Sequence, residues 1–152
     1  MTNIKTLFGL LVAVVAAVVG VVAFGAAQAS ASSAPIVIPY AKTCDETVGH
    51  CSGTTGDGRT FEMQITSFRA TGKAAQLTAT VTVGNISENN SFTAEMKGHV
   101  SPAGFIVLNG TVTEGSFAGA QVHQRSDFDG FVGGNENMTA WVGELRLVPA
   151  SA

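Results

Sequence analysis

The sequence predicts an all-β fold, a small antiparallel meander closing as a β-barrel, with a two-layer β-sandwich as the alternative architecture. Three observations lead there. From Phe61 onward apolar and polar residues alternate with period two, which places one set of side chains on each face of a sheet. No segment in that region keeps a helical period, and Thr, Val and Phe outnumber the strong helix formers. Clusters of Gly, Asn, Asp and Ser interrupt the alternation at short, regular intervals.

The chain opens with a different pattern. Lys5 precedes an uncharged stretch from Thr6 to Ala27 dominated by Leu, Val and Ala, and small residues follow at alternate positions in Ala27-Gln28-Ala29-Ser30-Ala31. One cation, an apolar run and a small-residue site form the three-part pattern of a secretory signal peptide. Residues 1–31 are therefore expected to be a leader, cleaved after Ala29 or Ala31, and the domain to be exported. The run from Leu7 to Phe24 approaches bilayer-spanning length, so a retained N-terminal membrane anchor is the competing expectation. Any membrane association is expected only through an uncleaved leader.

Residues 32–58 read as a linker and short disulfide loop. Pro35 and Pro39 flank Ile36-Val37-Ile38, a segment able to lay one short strand along a sheet edge. Cys44 and Cys51 enclose a short polar loop containing Gly49, and an even cysteine count in an exported chain predicts that they pair. A metal site built from Cys44, His50 and Cys51 lacks a fourth ligand nearby, so no metal is assigned. Ser52 to Gly58 is turn chemistry leading into the domain at 59–152.

Six strands follow. Phe61, Met63 and Ile65 alternate with Glu62, Gln64 and Thr66; Leu77, Ala79, Val81 and Val83 alternate with Thr78, Thr80 and Thr82; Phe92, Ala94, Met96 and Val100 oppose Thr93, Glu95, Lys97 and His99. The runs from Phe105 to Thr113, Gly119 to Asp129 and Thr139 to Val148 complete the set, the last with Trp141, Leu145 and Leu147 on one parity. A meander of this length leaves bare edges unless it closes, which favours the barrel.

Charge weighs against nucleic acid as a partner. Removing Lys5 with the leader takes the balance from 8 − 11 = −3 to 7 − 11 = −4. Arg59, Arg69, Lys73, Lys97, Arg125 and Arg146 are scattered singly, whereas a phosphate-binding surface clusters its cations.

The chemistry-bearing residues form one notable stretch. In strand geometry Gln121, His123, Arg125, Asp127 and Asp129 point to one side, while Ala120, Val122 and Phe128 point to the other. His123, Arg125 and Asp127 are candidate catalytic residues, and His99 joins them if its strand lies beside that of His123. Asp127 with Asp129 would be a carboxylate pair for glycoside chemistry. Trp141, Phe105 and Phe128 are candidates for lining an apolar ligand site. No nucleophile elbow is present, Gly56-Asp57-Gly58 lacks the ligand ladder of a calcium loop, and no cofactor is implied. Four Asn-x-Ser/Thr triplets begin at Asn85, Asn89, Asn109 and Asn137 and carry meaning only in a eukaryotic secretory route.

The pattern is similar to that of small exported all-β proteins of high-GC bacteria. Two alternative functions are expected of it, the first preferred over the second. The first is a non-enzymatic binding module for a small apolar ligand or a partner protein surface. The second is a small barrel enzyme, a cyclase, isomerase or hydrolase, working from the His123, Arg125 and Asp127 face.

Overall fold

A computed structural model describes residues 34–85 and 88–150. The leader expected at 1–31 lies outside the described residues. Among the described residues no helix is long and apolar enough to cross a membrane.

Eight antiparallel strands form a closed barrel in which each pairs with its chain neighbours and the last returns to the first. They are β1 (Ile36–Asp45), β2 (His50–Thr55), β3 (Thr60–Thr71), β4 (Ala74–Val83), β5 (Phe92–Ser101), β6 (Phe105–Gly115), β7 (Gln121–Val132) and β8 (Asn135–Val148). The barrel expectation holds and the sandwich does not. The strand count differs, because the segment read as linker and loop is a hairpin of the barrel wall. Pro39 is accommodated on the outer parity of β1, opposite Glu144, and the neighbouring Ile38 and Tyr40 point inward.

The register explains the alternation. Ile38, Tyr40 and Cys44, Phe61 and Met63, Leu77 through Val83, Phe92 through Met96, Ile106 and Leu108, Val122, and Trp141 through Leu147 supply the buried set. Three one-residue bulges bend the wall, at the register shifts after Ile65, after Thr93 and after Phe128. The bulge in β3 matters for placement. Without it Phe68 would face outward; with it Phe68 pairs with the inward Leu77.

Inward glycines occupy four wall positions, Gly53, Gly98, Gly110 and Gly143. A methyl built at any of them would lie about 2 Å from a carbonyl oxygen of the adjacent strand, for example 2.0 Å from Ala41 at Gly53 and 2.1 Å from Arg125 at Gly143. Such close strand approach is how a small barrel turns its corners, and only glycine permits it.

The two ends differ. One carries the turns at 56–59 and 116–120, the last residue of β4, the first of β5, and both ends of the described barrel, Ile36 lying opposite Leu147. Phe61, Val83, Phe92, Val112 and Leu147 are fully buried in that half. The other end carries the turns at 46–49, 72–73, 102–104 and 133–134, the last a tight Gly133-Gly134 hairpin with both φ values positive. Toward it inward positions become partly exposed: Ile65 and Val100 are half-buried, and Phe68 and Phe128 are exposed. Inward side chains thus reach solvent at this second, open end.

Cys44 and Cys51 face each other in the β1–β2 ladder and are joined, as expected, with an S–S distance of 2.06 Å. The bond spans a separation of seven residues, a loop whose closure entropy alone is worth about 2–3 kcal/mol. Replacing both cysteines by Ala is expected to lower the unfolding free energy by about that amount in urea titration. The β1–β8 ladder should nevertheless keep the barrel spectrum intact.

Candidate functional site

The catalytic candidates named from the sequence lie on the outer wall. His123, Arg125 and Asp127 project outward from β7 and are exposed, as their parity predicted. His123 Nδ1 is 2.5 Å from Asn109 Oδ1, Arg125 Nη2 donates to Asp127 Oδ1 at 3.0 Å, and the Arg125 guanidinium sits 5.0 Å from the Phe105 ring centroid. These groups bond mainly to one another. Exposed pairs of this kind contribute little to stability.

His99 is not a neighbour of His123. Strand β6 separates them, and across it His99 and Arg125 share Val107 as register partner, while His99 packs edge-on to Phe105 with centroids 6.3 Å apart. Among the described residues no group of three or more His, Cys, Asp or Glu is arranged to hold a metal ion. Asp129 is the extra residue of the β7 bulge, so the Asp127–Asp129 pairing on a regular ladder is broken. Asp57, in the stretch compared with a calcium loop, is held near pH 2 by hydrogen bonds from Arg59 and Thr55 and has its charge answered by Arg59 at 2.6 Å.

The three aromatic candidates also separate. Phe105 belongs to the outer wall, whereas Phe128 and Trp141 are register partners near the open end, with ring centroids 5.3 Å apart. Phe131 extends the same cluster, 5.2 Å from Phe128 and itself 57% exposed.

Next to that cluster lies a polar group inside the barrel. Lys42 is the β1 register partner of Trp141 and is only 3% exposed. Its Nζ donates to Met63 Sδ at 3.1 Å and lies 5.7 and 5.6 Å from the Tyr40 and Phe61 ring centroids, which stack on each other at 4.4 Å. No described carboxylate forms an ion pair with it. Burial pushes the amine down from 10.5 to about 7, and Glu46 opposes that shift from a distance.

Strand β7 faces Lys42 with two inward polar residues. Ser126 Oγ is 2.5 Å from Tyr40 Oη, and Gln124 Nε2 donates to Tyr40 Oη at 2.8 Å. Gln124 also approaches Met63 Sδ, at 3.9 Å, so the lysine and the amide converge on one thioether. Gln124 Oε1 has no partner; Ser91 Oγ is the other such buried atom among the described residues. Gly143 lets this arrangement form, since it pairs with both Tyr40 and Ser126, and a methyl there would lie 2.9 Å from the Tyr40 hydroxyl. Burial raises the Tyr40 hydroxyl to about 12, so it stays protonated.

A hydrogen-bonded chain borders the group on the open side. Trp141 Nε1 donates to Thr139 Oγ1 at 2.8 Å, which donates to Glu46 Oε1 at 2.6 Å. Glu46 is anchored by its own N–H to the Asn137 carbonyl at 2.9 Å. Chemically, the interior offers an amine with spare donor capacity, an amide oxygen with spare acceptor capacity, a protonated phenol and a soft sulfur.

The sequence carried a signal for this group. Lys42 shares parity with Ile38, Tyr40 and Cys44, and Gln124 and Ser126 share parity with Ala120 and Val122. Polar residues on an apolar parity mark an interior polar group. Comparison with known proteins gives no match to any family model, any curated protein or any solved structure.

The lysine makes stability depend on pH. Its folded value lies below its unfolded one, so between about pH 7 and 10.5 unfolding takes up a proton and stability rises with pH. Below pH 7 the burial penalty is fully present. Tyr40 acts oppositely and higher, because its raised value makes unfolding release a proton between about pH 10 and 12, where stability falls. Denaturant titrations should therefore give a barrel more stable at pH ~9.5 than at pH ~6.5 by roughly 2–4 kcal/mol. Lys42→Met should flatten that rise and stabilise the protein at the lower pH.

Proposed function

We propose that the protein is an exported, non-enzymatic binding barrel that takes a small, mostly apolar molecule into its open end. The observation that carries this reading is the pairing of unmet hydrogen-bonding capacities deep in the barrel: Lys42 Nζ has donors to spare and Gln124 Oε1 lacks a donor. A buried lysine opposed by no ion-paired carboxylate costs several kcal/mol compared with a hydrophobic residue of its size, so it is a poor choice for packing alone. Perturbed groups of this kind concentrate where ligands bind.

The ligand chemistry follows from the surroundings. An apolar body would lie against Phe128, Phe131 and Trp141, and a polar head carrying an acceptor would meet Lys42, with Gln124 Oε1 nearby to accept from any hydroxyl formed or carried there. An eight-stranded barrel is wide enough to hold one small ligand. The disulfide supports an oxidising compartment, in keeping with export through the leader.

The enzyme reading would place turnover on the outer His123, Arg125 and Asp127. The two readings separate in one experiment. Native mass spectrometry of protein recovered from its own host is expected to show an added mass that disappears on denaturation. Lys42→Met should remove that mass while His123→Ala retains it; retention in Lys42→Met, or loss in a folded His123→Ala, contradicts the interior site. Intact mass without reductant reports the leader cleavage and the disulfide in the same run.

A further inference from the structure

We propose that Lys42 captures its ligand covalently, its amine condensing with an aldehyde or ketone carbonyl to an imine inside the barrel; this rests on the interior binding reading and names the ligand class. The surroundings of Nζ are largely apolar and hold no ion-paired carboxylate, which favours the neutral, nucleophilic amine. It touches a thioether and two stacked rings, and among the described residues no carboxylate holds it as an ammonium ion. Desolvation of this kind leaves a lysine amine neutral enough to attack a carbonyl.

The polar partner is in place for the intermediate. As the Nζ–carbon bond forms, the carbonyl π pair moves to oxygen, and that oxygen gains a proton from the nitrogen to become a hydroxyl. A new hydroxyl needs an acceptor, and Gln124 Oε1 is a buried acceptor with no partner, on a side chain that meets Lys42 at Met63 Sδ. The carbon–oxygen bond then breaks and water departs with the second nitrogen proton, leaving the imine. Atoms balance without oxidant or reductant. Water would leave toward the end marked by the exposed Phe128 and Phe131, with Trp141, the register partner of Lys42, in contact with Phe128 between them.

The test uses hexanal as probe on the full leader-free chain at pH ~7, with sodium cyanoborohydride to trap any imine and peptide mapping to locate it. Three lysines compete in that chain, Lys42, Lys73 and Lys97. Desolvation favours the neutral, nucleophilic form of the Lys42 amine, so it is expected to be modified on the order of tenfold or more faster than either other lysine. Lys42→Met should lose the fast lysine adduct and keep only the slow background at Lys73 and Lys97, the N-terminal α-amine reacting alike in both proteins and being scored separately by the peptide map. In parallel 1-hexanol, which cannot form an imine, is titrated against the fluorescence of Trp141, the single tryptophan.

Selective modification of Lys42 upholds the proposal whatever hexanol does. Modification no faster at Lys42 than at Lys73 and Lys97 overturns it. In that second case a saturable change in Trp141 emission with hexanol leaves the binding reading standing, and an unchanged emission removes support for both.

Discussion

The ladder between β1 and β8 is the constraint on which the rest of the structure depends. It runs from Ile36 opposite Leu147 to Asp45 opposite Met138, and it turns an open meander into a closed wall. Closure removes the two bare edges that such a meander would otherwise offer to other chains. It also decides which way β1 faces. With Tyr40 fixed opposite Gly143 and Lys42 opposite Trp141, the side chains of these two residues are directed into the interior. The candidate site is thus a product of closure, assembled from strands 80 and more residues apart in the chain, as the Tyr40–Gln124 and Tyr40–Ser126 bonds show.

Inside that wall, packing and polarity divide the barrel along its axis. One half is filled by Phe61, Phe92, Val83 and Leu147 and behaves as an ordinary core. The other half trades apolar filling for the Tyr40, Lys42, Gln124 and Ser126 group, whose members bond to one another only in part. A partly satisfied network is less stabilising than apolar packing, which argues that this half is shaped by something other than the demand for stability. The aromatic residues nearest it, Phe128 and Phe131, remain partly in solvent although they follow inward parity.

Most of the wall was legible in the sequence because period-two alternation is a local signal, and strands β3 to β8 state it plainly. The barrel's first hairpin was not. Two prolines and a run of Ser, Gly and Thr carry the composition of a linker, and only pairing with β8, a contact between opposite ends of the domain, makes them a strand. The outward position of His123, Arg125 and Asp127 follows from their polar parity, where titratable residues are commonest and least informative about a site. The interior group was written in the opposite sign. Lys42, Gln124 and Ser126 each break an apolar parity, and their convergence required knowing which strands face one another across the barrel.

The meeting of Ile36 and Leu147 has a consequence for how the molecule can be rebuilt. Because the first and last strands begin and finish side by side at the filled end, a short bridge could join them and a new pair of ends could be opened at the Gly133-Gly134 hairpin. Such a circularly permuted chain would keep every ladder pair while moving its termini to the rim of the open end. Anything fused there, a fluorophore or a reporter domain, would sit beside Phe131 and sense what enters, which makes the barrel a natural frame for a sensor.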